Sequence, residues 1–195
     1  MKIRIRTLNL LAFSCSFVFL SIRYPLAQNQ FIRGSGTATD PFVITTPQHL
    51  SNLRLYTGPT HSDKHFVLQN DIDLGVAPWN EGQGWEPIGT MTTDLSYSAF
   101  EGKLDGNNKR IRNLLISKDS QFTGLFGYCR GEIKNLYLDS VKIDGVRYSG
   151  GLCGRLDSGL VDLCFVSGIV TGENYVGGLV GEVRRSSVIR NCSSS

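Results

Sequence analysis

Apolar residues in the second half of the chain fall in short runs rather than along helical stripes. Ile133, Leu136, Leu138, Val141 and Ile143 sit in such runs, rich in β-branched side chains, and glycine interrupts them every few positions. Glycine costs a helix interior about 1 kcal/mol relative to alanine, so this density excludes helical repeats and predicts strands of about four to seven residues joined by tight glycine turns. Nearer the N-terminus, Phe66, Leu68, Ile72 and Leu74 alternate with Val67, Gln69, Asp71 and Asp73, the pattern of one strand packed on one side. Thr46-Pro47 followed by Leu50, Leu53 and Tyr56, and closed by Gly58-Pro59, predicts one short helix with an N-cap, a first-position proline and a glycine stop. Asp105-Gly106-Asn107-Asn108 is a strong turn signal between Leu104 and Ile111.

The chain repeats itself. Gly124-Leu125-Phe126-Gly127 recurs as Gly151-Leu152-Cys153-Gly154 and as Gly178-Leu179-Val180-Gly181, at a spacing of 27 residues both times. Such a period means stacked units, each burying its apolar face against its neighbours. In a coil of strands, equivalent residues of successive turns lie about 4.8 Å apart and form columns. Leu125, Leu152 and Leu179 make one inward column, Phe126, Cys153 and Val180 a second, and Cys129, Leu156 and Val183 a third. Tyr128, Arg155 and Glu182 change polarity from copy to copy, as an outward column would. Asn113, Asn135, Asp162 and Asn191 fall at one repeat position, where side-chain amides would hydrogen-bond along the stack or close a turn. The fold predicted is all-β, a parallel β-helix or β-solenoid with a short N-terminal capping helix. Residues 28–99 form the cap region with the first strands, and residues 100–195 form the coil.

These residues resemble the GLUG-motif family, named for a glycine-leucine-x-glycine repeat followed by a strand ending in Asn-Cys or Asn-Leu. The tetrads at 124, 151 and 178 and the pair Asn191-Cys192 carry the resemblance. The earlier half is similar to the region that precedes such repeats, through Asn70-Asp71-Ile72-Asp73-Leu74, Trp85-Glu86-Pro87-Ile88-Gly89 and Phe100-Glu101-Gly102. Asp162-Leu163 departs from the motif in the middle copy. The resemblance implies a β-helix-like solenoid on secreted or surface-exposed bacterial proteins, in adhesins or in non-catalytic regions of large extracellular enzymes such as immunoglobulin-cleaving proteases. It implies no single biochemical activity.

Charge separates the first residues from the rest. Lys2, Arg4 and Arg6 precede an apolar run from Leu8 to Leu20, and small Ala27 stands before polar Gln28-Asn29-Gln30. That is the anatomy of a secretory signal peptide over residues 1–27, cut near Ala27, and its run falls short of the ~20 apolar residues of a spanning helix. The formal net charge of +3 belongs to this segment: without its four basic residues, 16 basic face 17 acidic. A secreted or cell-surface product follows, with no transmembrane segment in the mature chain and no case for nucleic acid as a partner. Of 22 glycines, 13 lie between Gly124 and Gly181.

Candidate chemistry is sparse. Asp71 and Asp73 share a strand face, which could suit Ca²⁺ or an acid/base pair on a glycosidic bond but suits a solvated face or turn-capping aspartates better. Trp79 and Trp85, amid Gly75, Gly82 and Gly84, suit either a sugar-stacking platform or core packing. His61 and His65 lie in a loop with no glutamate beside them, against a zinc protease site. Once Cys15 leaves with the signal, Cys129, Cys153, Cys164 and Cys192 remain. Three of them fall in columns of Leu, Val or Phe, which marks them as small core residues with thiols free or only partly paired. Outward acids do not accumulate at any repeat position, so a non-catalytic adhesion or scaffolding module, without cofactor or metal, ranks above a carbohydrate-active β-helix. The expected partners are glycans or host and extracellular-matrix proteins. The sequence ends in Ser193-Ser194-Ser195, part-way through a repeat, which predicts continuation or self-association at that edge.

Overall fold

A repeat whose apolar positions recur at constant spacing can stack only if its strands pair parallel and in register, and the computed structural model pairs every strand of the coil this way. It describes residues 30–91 and 97–195; the signal expected at 1–27 lies outside the described residues. Strand β1 (Phe42–Ile44) leads into helix α1 (Pro47–Ser51), which Thr46 caps through a hydrogen bond from the His49 N–H. The expected helix is this single turn, continued as a 3-10 turn over Asn52–Tyr56. Strands β2 (His65–Leu68) and β3 (Ile72–Asp73) follow, then the antiparallel pair β4 (Thr90–Met91) and β5 (Tyr97–Ser98).

The coil proper winds through β6 (Lys103–Arg112), β7 (Leu115–Ser117), β8 (Gln121–Thr123), β9 (Phe126–Cys129) and β10 (Glu132–Asp144). It continues through β11 (Arg147–Gly150), β12 (Cys153–Asp157) and β13 (Leu160–Thr171), and then β14 (Asn174–Gly177), β15 (Val180–Arg184), β16 (Val188–Arg190) and β17 (Ser193–Ser194). A long sheet runs in the order β1-β2-β6-β10-β13-β16, with β3, β7 and β17 alongside. Two shorter sheets, β14-β11-β8 and β15-β12-β9, close the other sides, making a β-solenoid of about five turns. Because β1 and β2 already belong to the long sheet, the coil begins well before residue 100. Single bridges from Ile88 to Phe126 and from Phe100 to Cys129 extend the third sheet toward the cap in the same way.

Two local expectations change. The segment 66–74 is two strands rather than one, because β6 bends at Asn107 and Asn108, both left-handed, and β2 and β3 dock on either side of that bend. Asp105–Asn108 is therefore a corner within one strand and not a hairpin turn.

The three inward columns form as the spacing predicts, with Phe126, Cys153 and Val180 in register and Cys129, Leu156 and Val183 likewise. The downstream alignment does not. The corner between the third sheet and the long sheet lengthens by one residue per coil, from Arg130–Gly131 to 157–159 to 184–187. Ile133 therefore stacks on Val161 and Ile189, a spacing of 28. Asn135, Leu163 and Asn191 share one corner, all left-handed, while Asp162 lies outward between Lys134 and Arg190. Asn113 belongs to a different corner, its N–H bonded to the Asp139 carbonyl next to left-handed Ser140.

The glycine tetrads also have another purpose than the turns expected of them. None of Gly124, Gly127, Gly151, Gly154, Gly178 or Gly181 has a positive φ. A Cβ on Gly154 would lie 2.6 Å from the Tyr148 carbonyl oxygen and 2.7 Å from the Phe122 backbone, so glycine is there to let two sheets touch. Positive φ falls instead on Phe122, Tyr148 and Tyr175, at 59°, 56° and 56°. An L-residue there costs about 1–2 kcal/mol. The three rings stack face to face at 4.7 and 4.9 Å, which offsets part of that cost. Gly154→Ala is expected to lower the unfolding free energy by about 2–3 kcal/mol through backbone overpacking. Gly82→Ala, with φ of 57° but open space around it, should lose only about 1 kcal/mol, and chemical denaturation of the two variants checks the difference.

Candidate functional surface

The two aspartates that the sequence nominates lie on β3 and just before it, and both are bonded to the next coil. Asp71 accepts the Arg110 backbone N–H at 2.9 Å and the Arg112 guanidinium at 3.0 Å. Asp73 accepts the Asn113 side-chain amide at 2.8 Å and the Gly75 N–H at 2.7 Å. The Arg110 N–H holds the Asp71 carboxyl below its ordinary value, and the Asn113 amide does the same for Asp73. A carboxylate so stabilised stays ionised and is unsuited to act as a general acid.

This bond pattern recurs. Asn135 donates to Asp105 at 3.0 Å and Asn191 to Asp162 at 3.0 Å, so a left-handed asparagine of one coil three times clasps an aspartate of the coil before it. Asparagine tolerates the left-handed conformation and also carries the donor, which explains the residue type at these corners. Basic residues complete the ladder: Arg110 meets Asp139 at 2.6 Å, Lys134 meets Asp105 at 3.6 Å and Arg190 meets Asp162 at 2.7 Å. Arg190 and Asn191 hold the Asp162 carboxyl low.

The sugar-stacking platform does not form. Trp85 is wholly buried, its indole N–H donating to the Leu125 carbonyl at 3.1 Å and the Arg54 guanidinium lying 4.4 Å over its ring. Trp79 packs against it at 5.4 Å and is half-buried, so the pair plugs the cap end of the core. His61 holds the Thr57 carbonyl at 3.0 Å, while His65 lies on β2 opposite Lys103. Among the described residues, no group of three or more His, Cys, Asp or Glu is arranged to hold a metal ion. Among the described residues, Cys129, Cys153, Cys164 and Cys192 are not joined by a disulfide in this structure.

The supposed outward column is buried over two of its three residues. Tyr128 donates its hydroxyl to Asp157 at 2.8 Å, and Arg155, 5% exposed, donates to Glu182 at 2.5 Å while lying 4.7 Å from the Phe122 ring and 4.6 Å from Tyr148. Met91 on β4 and Tyr97 on β5 cover this side of the third sheet. Burial, with the Asp157 bond, pushes the Tyr128 hydroxyl up to about 12. Strand periodicity alone could not reveal the covering pair.

At the corner between the third sheet and the long sheet, a cleft of about 480 Å³ crosses successive coils, lined by Glu101, Lys103, Arg130, Glu132, Leu160 and Arg190. Lys103, Glu132, Leu160 and Val188 form its floor as one in-register column. Its charges gather on the earlier coils, where Lys103 lies opposite Glu132 and Arg130 is fixed by Glu101 at 3.3 Å and the Tyr97 hydroxyl at 3.1 Å, while Leu160 and Val188 continue the floor as apolar residues.

The family model described as the GLUG motif matches residues 172–195. Two curated relatives are similar over most of the chain. One, provisionally named a Gly-rich membrane protein of Evansella cellulosilytica, is 36% identical over 169 residues, covering 82% of this chain and 19% of the relative. The other, halomucin of Haloquadratum walsbyi, is 33% identical over 168 residues, covering 83% of this chain and 2% of the relative. The chain thus spans under a fifth of either relative's length. Among solved structures, one provisionally named an immunoglobulin A1 protease, from Bacteroides ovatus, is similar at 18% identity with a TM-score of 0.44, covering 85% of this chain and 70% of that one.

The clasps have a pH signature. Asp71, Asp73 and Asp162 are held below 3.8 in the folded chain, so their contribution is complete above that value and is lost as pH falls through the lowered native values. Stability measured by denaturation across pH 2–7 should be flat at the neutral end and fall below about pH 4, as carboxylates with ordinary unfolded values predict. Asn113→Ala, which releases Asp73, should make that fall shallower.

Proposed function

We propose that this chain, a GLUG-motif protein built as a parallel β-solenoid, is an exported, non-catalytic module of the cell surface that serves adhesion or scaffolding. The observation that carries this reading is the commitment of the nominated acids to coil-to-coil bonds. Glycosidic catalysis needs one carboxyl raised to serve as acid beside one ionised, whereas Asp71 and Asp73 are both lowered and both bonded across the stack. Their chemistry maintains a rod.

The two relatives, one named for the membrane and one a halomucin, support a surface location, and the signal-like segment ending near Ala27 supports export. Among the described residues no helix is long and apolar enough to cross a membrane. The cleft supports this reading: a groove that crosses successive coils and carries both signs of charge suits a linear polar partner such as a glycan or an extended segment of a host or matrix protein.

A screen of the purified chain against immobilised glycans and matrix proteins tests this. Binding is expected, and the double variant Lys103→Glu/Arg130→Glu should weaken it at least tenfold, on the order of 1.4 kcal/mol. A blank screen with well-folded chain counts against adhesion. Release of reducing or unsaturated sugar ends from pectin-type polymers, abolished by Asp71→Ala, would replace the reading with an enzymatic one.

A further inference from the structure

We propose that Cys164 and Cys192 form a disulfide that latches the last described coil onto the coil before it. The two residues are 28 positions apart and stack directly. Val161 opposite Ile189 and Asp162 opposite Arg190 set the register before them, and Phe165 opposite Ser193 keeps it after them. Neighbouring strands lie about 4.8 Å apart, inside the ~4.4–6.8 Å separation of Cα atoms that a disulfide spans.

Both side chains face the core, Cys164 buried and Cys192 packed against it. Cys192 Sγ lies 3.4 Å from the Cys164 backbone nitrogen. The two thiols also relate identically to the coil beneath each: Cys164 Sγ is 3.7 Å from the Ile133 carbonyl, and Cys192 Sγ is 3.7 Å from the Val161 carbonyl. They are copies of one side-chain placement, one coil apart. Cys192 Sγ already reaches back to the Cys164 coil, so closing the bridge needs rotation about the Cα–Cβ bond of Cys164, away from the Ile133 carbonyl, and an approach of the two Cβ atoms to about 3.5–4.5 Å.

Cys129 and Cys153 also neighbour one another, yet they belong to different columns, opposite Leu156 and Phe126, and both are wholly buried. Exchange must begin at a thiol that an outside disulfide can reach, and Cys192 is the one cysteine of the four that is not buried. Its thiolate attacks the disulfide of an oxidoreductase or of oxidised glutathione, forming a mixed disulfide and expelling one thiolate. The Cys164 thiolate then attacks Cys192 Sγ and expels the second. The pair loses two protons and two electrons; the electrons reduce the donor disulfide, and its two leaving thiolates take up the protons. Burial pushes the Cys164 thiol up to about 12, so its deprotonation makes this second attack the slow step.

In a cell the latch rests on the export reading, because disulfide donors of this kind act outside the cytoplasm. The test therefore has two arms. The full chain is oxidised in vitro with oxidised glutathione, alkylated under denaturing conditions, digested and mapped by mass spectrometry, and the chain recovered from producing cells is mapped in parallel. Two thiols are expected to disappear, joined as one Cys164–Cys192 peptide, with Cys129 and Cys153 alkylated. Amide exchange over residues 188–194 should slow at least tenfold on oxidation, and this change should vanish in the folded Cys192→Ser variant. Alkylation of Cys129, Cys153, Cys164 and Cys192 alike after oxidation, or a bridge at Cys129–Cys153, overturns the latch. Bridge formation in vitro by a chain retained in the cytoplasm supports the latch and counts against export, while an exported chain with four free thiols supports export and overturns the latch.

Discussion

Each coil of this protein is one strand thick along the axis and has no interior of its own. Leu152 is dry because Leu125 covers it on one side and Leu179 on the other, and the columns of Ile133 and Leu156 are built alike. Burying a leucine is worth about 1.5–3 kcal/mol, so the stability of any coil resides in its two interfaces rather than in itself. The burial gradient shows this directly. In the column of Cys129, Leu156 and Val183, the first two are fully buried and the third is 50% exposed, although its side chain is as apolar as theirs. In-register parallel pairing is what makes such columns possible, and the other features of the chain serve it.

Glycine serves it by removing volume. Backbone amides and carbonyls of successive coils must meet at hydrogen-bond distance, as where the Leu125 N–H reaches the Gly151 carbonyl at 3.2 Å and the Leu152 N–H reaches Leu179 at 2.9 Å. At the same place the second sheet folds back against the third, so the carbonyl of Tyr148 sits where a Cβ of Gly154 would be. The turning has to occur just before the glycines, and it falls on Phe122, Tyr148 and Tyr175. Aromatic residues are poor left-handed formers, but rings repeated at coil spacing stack, and Arg155 lies against two of them. Backbone strain and the cation–aromatic column are thus one local solution to a tight fold-back.

The parts of this architecture that were legible in the sequence are those governed by period. Equal spacing of the tetrads carried the strand columns and the coil itself, and Thr46-Pro47 carried the cap helix, because hydrophobic recurrence and capping are local signals. Corners were not legible. A left-handed Leu163 or Tyr148 follows from its neighbours in the stack and contradicts its own propensity. The one-residue growth of the 130, 157 and 184 corners shifts the downstream alignment, so Asp162, which the tetrad spacing aligns with the asparagines, is instead the partner of one. The burial of Arg155 is illegible for a related reason: a residue distant in sequence, Met91, covers it, just as Arg54 covers Trp85.

The clasps give the stack its register. Sliding a coil by one residue would turn every inward side chain outward, and bonds such as Asn135 to Asp105 penalise that slip at the surface as the columns do inside. The interface between β10 and β13 breaks the pattern, since Leu163 stands where asparagine would and has no amide to offer. Other contacts take its place there. This pairing runs from Glu132 to Asp144, Tyr137 stacks on Phe165 at 5.0 Å, and Thr171 donates to Asp144 at 2.8 Å. An aromatic stack fixes register as firmly as a clasp, because a one-residue slip would separate the rings onto opposite faces. The asparagine can therefore be absent from the middle coil without the solenoid losing its alignment, because specificity is shared among columns and no single one is indispensable.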